Sequence, residues 1–98
     1  MKVLPIPIIF EWDKGNADKN LRKHNVTNKE TEELFLNRPL KIFEDAKHSV
    51  EEQRFVVYGV TNLGRKLALV FTIRKQKIRI ISARNQNKKE RIAYEKSI

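Results

Sequence analysis

The sequence predicts an α+β domain of order β-α-α-β-β-β-β-α. Three observations lead there. A helix-start signal, Thr27-Asn28-Lys29-Glu30, sits ahead of a helical apolar pattern. After Pro39 the apolar period changes from helical to two. The later half holds three runs rich in Val, Ile and Phe, separated by the short polar turns Asn62-Leu63-Gly64 and Lys75-Gln76. Helices grouped ahead of a run of strands argue an antiparallel meander sheet with helices on one face. At 98 residues the chain is expected to form one domain, residues 1–98.

Each element has its own warrant. Met1 to Phe10 is apolar, but Pro5 and Pro7 interrupt it and no small-residue cleavage site follows. Residues 1–9 are therefore expected to be an extended arm or edge strand rather than a signal peptide, with a first strand over residues 6–12. Asp13 can cap a helix over residues 14–24, with Ala17, Leu21 and His24 on one face. Asn25 can supply the left-handed stop. Thr27 and Glu30 form a capping box for a second helix, which carries Leu34 and Phe35 and ends before Pro39. A short strand follows at residues 40–43, then a polar connection from Glu44 to Ser49. Strands are expected at residues 54–61, 67–74 and 77–84. The last helix starts near Lys88, with Asn87 and Glu90 at its cap and third positions.

Composition narrows the function. Lys and Arg number 21 against 12 Asp and Glu, a formal net charge of +9. Such an excess concentrates anions at a small surface, and nucleic acid is the usual partner, RNA first among the expectations. Acidic lipid would call for a basic amphipathic helix with a broad apolar face, and none is visible. The absence of cysteine rules out disulfides and Cys-based metal sites and fits a reducing cytosol. Two histidines, His24 and His48, are far apart and too few for a zinc site. No Gly-rich phosphate loop, G-x-S-x-G turn or paired-Asp metal motif occurs. No cofactor is expected, and metal-free chemistry is the form of catalysis left open.

Strand alternation sorts the side chains that could carry such chemistry. Leu67, Leu69, Phe71 and Ile73 form a fully apolar face, suited to a helical cover. Ala68, Val70, Thr72 and Arg74 lie opposite, on the more open side. In the last strand, alternation puts Ile78, Ile80, Ser82 and Arg84 on one face, and Arg79, Ile81 and Ala83 on the other. Arginine on a sheet face needs solvent, a carboxylate or a phosphate, which makes Arg54, Arg74, Arg79 and Arg84 pointed. Each could equally pair with Glu52, Glu90 or Glu95 as a surface ion pair. His24 after Lys23 is either a base or a helix-end histidine. Trp12 and Phe55 are expected in the core, and the Tyr94 hydroxyl near the polar edge of the last helix.

Several blocks then form a recognisable series. They are Phe10-Glu11-Trp12-Asp13; Asn20-Leu21-Arg22-Lys23-His24 with Val26; and Lys47-His48-Ser49 with Glu52 and Arg54. Thr72 with Arg74, Ile78-Arg79-Ile80-Ile81-Ser82-Ala83-Arg84, Glu90-Arg91 and Tyr94-Glu95 complete it. In that order they resemble the BrnT family over nearly the whole chain. Asn25 stands where the family commonly has Gly, and both tolerate a left-handed backbone. Lys75-Gln76 is a second departure, at a turn where many members carry Gly.

The resemblance implies a RelE-like fold and the toxin of a type II toxin–antitoxin pair, a cytoplasmic ribonuclease that inhibits translation. It implies a BrnA-type ribbon-helix-helix antitoxin, a 2:2 complex and binding of operator DNA through the antitoxin, so that the operon is repressed. RNA cleavage without metal requires a base for the 2′-hydroxyl, cations around the phosphorane-like transition state and help for the leaving 5′-oxygen. His24, Glu52 and Glu90 are the candidate bases. Arg54, Arg74, Arg79 and Arg84 are the candidate phosphate clamps, with Lys23 or Tyr94 assisting. Arg79 with Arg74 is expected to act in the chemistry, while Arg84 pairs with Glu90. Arg65, Lys66, Lys75, Lys77, Lys88, Lys89 and Arg91 are expected to hold the RNA backbone. Two rival readings keep the same charge pattern: a non-catalytic RNA- or ribosome-binding module, and a subunit that only meets an acidic protein.

Overall fold

The computed structural model describes residues 3–48 and 50–96, with the side chain of His48 not described. Two helices, α1 (Lys19–His24) and α2 (Asn28–Leu36), precede four strands, β1 (Lys41–Glu44), β2 (Arg54–Val60), β3 (Lys66–Arg74) and β4 (Lys77–Asn85). A 3-10 turn at Ala46–His48 lies between β1 and β2, and α3 (Lys88–Lys96) ends the order. The strands form one antiparallel meander, β1-β2-β3-β4. The fold is α+β, as the sequence indicates.

The local signals act where the sequence places them. Thr27 Oγ accepts the Glu30 N–H at 3.0 Å, and the Glu30 carboxylate accepts the Thr27 N–H at 3.0 Å. Asn25 closes α1 at φ 53°. Asn87 and Glu90 exchange the same pair of bonds at the start of α3. Lys75 and Gln76 both have positive φ, 50° and 65°, which is the two-residue hairpin geometry that matches strand twist.

Three expectations are corrected. Residues 6–12 do not form a strand. Phe10 makes an isolated parallel bridge to Ile78, with Ile78 N–H donating to Ile9 and Glu11 N–H to the Ile78 carbonyl. Pro5 and Pro7 have no N–H to extend that ladder. The first helix begins at Lys19, not Lys14, because Asp13 is used in a turn: its carboxylate accepts the Gly15 N–H and its carbonyl the Ala17 N–H. The helices do not share one face. α2 covers the apolar side and α1 lies along the edge of β4, but α3 crosses the other side at one end, where Tyr58 reaches Glu90 and Lys66 reaches Glu95.

The core lies between α2, the N-terminal arm and the apolar sheet face. Val26, Leu34, Phe35, Val57, Leu67, Leu69, Phe71, Ile78, Ile80 and Ala83 are buried there. Phe35 stacks edge-on against Phe10 and Phe71, with centroids 5.3 and 5.4 Å away. Burial of each large side chain contributes about 1.5–3 kcal/mol. α2 approaches the sheet closely because β2 has no side chain at Gly59, where a Cβ would lie 2.6 Å from Leu34 Cγ. Trp12 is only partly buried, and its indole N–H donates to Glu32.

One irregularity positions the site. Val70 pairs with Ser82 but Phe71 pairs with Ile80, so Ile81 is an extra residue in β4. The alternation read from sequence breaks there. Ile78, Ile80 and Ala83 all face the core, while Arg79, opposite Thr72, and Arg84, opposite Ala68, share the other face.

The bulge is held from outside. The side chain of Lys19 donates to the Ile81 carbonyl, Asn16 Nδ2 to the Ile80 carbonyl, and Asn20 Oδ1 accepts the Ala83 N–H. Segment 9–20 thereby occupies the outer edge of β4.

Candidate functional site

α3 crosses only one end of the second sheet face. α3 covers the row Tyr58–Ala68–Arg84, and the opposite end carries the row Arg54–Thr72–Arg79. Four residues separate the two rows along β2, about 13 Å at ~3.3 Å per residue. At the end away from α3 a cavity of about 720 Å³ is lined by Lys47, Val50, Glu51, Glu52, Arg54 and Arg74. β2, the end of β3 and the segment after β1 each contribute to it. Thr72 is buried beside this end, and its hydroxyl donates to the Gln53 carbonyl at 2.7 Å, tying the segment before β2 to the middle of the sheet.

Three of the expected catalytic residues therefore meet: Glu52, Arg54 and Arg74. The Arg74 guanidinium donates to both Glu52 carboxylate oxygens, at 3.1 and 3.3 Å. Lys47, Val50 and Glu51 join them. Lys47 belongs to the Lys47-His48-Ser49 block but is not among the site residues expected from the sequence. That block, which ends two residues before Glu51, is the signal that points to it. Ser49 and the His48 side chain lie outside the described residues.

The other arginines of the set are engaged elsewhere. Arg79 donates to Glu11 at 3.0 Å and to both oxygens of Asp13 at 2.8 and 3.0 Å, with its side chain only 14% exposed. Gly15 makes room for this clamp, since a Cβ there would lie 2.8 Å from Arg79 Nη2. The hydrogen bond from Arg79 holds the Asp13 carboxyl below its ordinary 3.8, aided by the Gly15 N–H and by the charge of Arg74. Arg84 grips Glu90 with two bonds of 2.6 and 2.9 Å. This pairing and the Asn87 N–H hold Glu90 below its ordinary 4.5 despite partial burial.

Glu90 is thus a poor proton acceptor, with its oxygens already filled by Arg84, the helix cap and the Tyr58 hydroxyl at 3.5 Å. Burial, then the nearby Glu90 charge, raises the Tyr58 pKa. Phe43 sets its ring edge-on to Tyr58 at 5.2 Å.

Lys23 and His24 are exposed in the last turn of α1, and the His24 carbonyl accepts a bond from Arg65. Arg65 also holds Glu30, Asn85 and the Asn25 carbonyl, so it ties α1 and α2 to the sheet. Tyr94 is not at a polar edge. It is 2% exposed and its hydroxyl donates to the Pro39 carbonyl at 2.6 Å, because α3 lies across the sheet.

Lys66 pairs with Glu95 at 2.6 Å, and Arg91 donates to the Gln86 carbonyl. Lys75 and Lys77 are exposed on the β3–β4 hairpin, next in sequence to Arg74 on one side and Ile78 on the other. Lys88 and Lys89 are exposed at the start of α3. Among the described residues no group of three or more His, Asp or Glu could hold a metal ion, and no helix is long and apolar enough to cross a membrane.

The cavity places two guanidinium groups and an ammonium group beside two carboxylates on a strongly basic chain. Such a set suits recognition of a phosphodiester. Comparison with curated proteins returned no match. The family model described as ribonuclease toxin, BrnT, of type II toxin-antitoxin system matches residues 12–90. That stretch holds α1, α2, all four strands and every residue lining the cavity, and the chain belongs to the BrnT family of ribonuclease toxins.

Proposed function

We propose that this toxin is a metal-independent endoribonuclease whose scissile phosphate sits in the cavity between Lys47, Arg54 and Arg74. The grouping of these cations with Glu52 at the end of the sheet away from α3 is the observation that carries the reading. Arg54 and Arg74 bind the phosphate oxygens and stabilise the charge that grows on them. The incoming phosphate competes for Arg74 and releases Glu52. Glu52 takes the proton from the 2′-hydroxyl, whose oxygen attacks phosphorus. The bond to the 5′-oxygen breaks, Lys47 supplies its proton, and a 2′,3′-cyclic phosphate remains.

Geometry favours Glu52 over the other two candidate bases. Glu90 is saturated by Arg84 and the cap of α3. His24 belongs to the Arg65 end of the chain. Arg79 and Arg84 act as positioning residues, the first fixing residues 11–13 and the second fixing α3. Lys75 and Lys77 extend the cationic track along the hairpin, with Lys88, Lys89 and Arg91 a second track on α3.

In the cytoplasm such cleavage would inhibit translation. A BrnA-type ribbon-helix-helix antitoxin would neutralise the toxin in a 2:2 complex and repress the shared operon. The test is cleavage of total RNA by purified toxin with and without EDTA, followed by analysis of the ends. Cyclic or 3′-phosphate ends, formed equally in chelator, are expected. Ends bearing a 3′-hydroxyl exclude the 2′-hydroxyl mechanism, and RNA binding without cleavage leaves a binding module instead.

A further inference from the structure

The two outer edges of the sheet are unlike. Segment 9–20 closes the edge of β4 through Ile9, Glu11, Asn16, Lys19 and Asn20. At the other edge, β1 pairs only with β2, and among the described residues no strand pairs with its far side.

The phase of the ladder tells which groups are unused. Asp45 N–H donates to the Arg54 carbonyl, and Phe43 and Lys41 pair with Val56 and Tyr58. In an antiparallel ladder hydrogen-bonded pairs alternate with non-bonded ones. Lys41 and Phe43 therefore turn their main chain toward β2. Ile42 and Glu44 present their N–H and C=O outward, in the pattern of a strand awaiting a neighbour.

The side chains on this edge specify the neighbour. Ile42 packs with the core, while Lys41 and Phe43 lie on the second face, where Phe43 is 36% exposed. β1 then leads through the 3-10 turn directly to Lys47 in the cavity wall. A strand laid along β1 runs straight toward Lys47, Arg54 and Arg74.

We propose that the outer edge of β1 receives an extended segment of the antitoxin as a fifth strand. That segment carries an apolar side chain over Phe43 and acidic side chains toward Lys41 and the cavity. The inference rests on the ribonuclease reading for its consequence, the blocking of RNA, but not for the pairing itself.

Charge selects this occupant over a second toxin copy. Each copy bears a net charge of +9, and like-charged chains repel where an acidic segment is attracted. The edge is also short and flanked by Lys41 and Glu44, features that restrain pairing between identical edges.

The experiment is amide hydrogen exchange on the toxin, alone and in complex with the product of the reading frame adjoining its gene, with RNA cleavage measured on the same samples. In the free toxin the Ile42 and Glu44 amides should exchange rapidly while Lys41 and Phe43 are protected. In the complex Ile42 and Glu44 should gain protection and cleavage should cease. Glu44→Pro removes one outward N–H, and it should weaken the complex roughly tenfold. Glu44→Ala keeps that N–H and should leave affinity within about threefold.

A complex that abolishes cleavage yet leaves Ile42 and Glu44 exchanging overturns the proposal, as does the lack of any complex. Protection that appears in the free toxin as its concentration rises assigns the edge to a second copy and also overturns it. Protection in the complex with no cleavage by the free toxin supports the docked strand and removes the ribonuclease mechanism alone.

Discussion

Arg79 and Arg84 lie on the same face of β4 although five positions separate them, because Ile81 is an extra residue between them. Without the bulge, alternation would send one of them into the apolar core. Both are paired with carboxylates, Arg79 with Glu11 and Asp13 and Arg84 with Glu90. The two arginines thus pin opposite ends of this face, Arg79 holding the N-terminal arm and Arg84 holding α3.

Arg79→Ala should lower stability by about 1–3 kcal/mol, since charge-assisted bonds are lost and two carboxylates are left facing each other. Thermal melting measures this. Adding the cleavage rate at a temperature where the variant is folded separates a positioning role from a chemical one. An unchanged melting temperature with lost cleavage would return Arg79 to the chemistry.

Arg54→Ala and Arg74→Ala should each reduce kcat/KM by roughly a hundredfold to a thousandfold, the cost of removing a donor aimed at transition-state charge. Arg74→Ala should keep its melting temperature, because its contact with Glu52 is a half-exposed ion pair. Lys47→Ala should follow the same pattern. Full activity in any of these variants removes that residue from the site.

Acid should loosen α3 before it unfolds the chain. The Glu90 carboxyl is held below its ordinary 4.5 by Arg84, so the folded state binds its proton less tightly than the unfolded one. The stability from this pair is complete above about pH 4.5 and is lost as pH falls through the depressed folded value. Asp13, lowered from 3.8 by Arg79, acts in the same direction at the arm. Denaturant melts across pH 2–6 (roughly the span of these carboxyl titrations) should show the Arg84→Ala protein with a shallower pH slope than the native one.

RNA binding should depend steeply on salt. Removing Lys75 or Lys77, exposed beside Arg74, should reduce the slope of log affinity against log salt by roughly 0.7 each for single-stranded RNA. Fluorescence titration of an oligonucleotide at several salt concentrations gives the slope. A slope unchanged in both variants removes the hairpin from the RNA track.

Gly59→Ala should cost about 1–3 kcal/mol, because the new methyl meets Leu34 on α2 and the core has no room to shift cheaply. Leu34→Ala should cost about 2–5 kcal/mol. The double variant should lose less than the sum of the two, because the cavity left by one receives the methyl of the other. Chemical denaturation of the three proteins tests the coupling.

The sequence by itself determined the elements whose signals are local. The Thr27–Glu30 and Asn87–Glu90 capping boxes, the left-handed Asn25, the two hairpin turns and the period-two strands each depend on residues within a few positions of one another. The family-specific series was also legible, because it is a pattern of residue types in order. Tertiary structure decided everything that depends on an added residue or a distant partner. The bulge at Ile81 needs Asn16, Lys19 and Asn20 to satisfy the backbone it exposes, and one extra residue reverses every face assignment beyond it. The strand expected over residues 6–12 failed for the same kind of reason: Ile8, Phe10 and Trp12 pack against the core, but Ile6 and Ile9 stay exposed and Pro7 has no N–H to continue a ladder. The site followed suit. The types of Glu52, Arg54 and Arg74, and the six-residue spacing that lets Arg84 meet Glu90, are legible in the sequence, but the union of the first three with Lys47, and the capture of Arg79 by carboxylates far away, exist only once the sheet has folded.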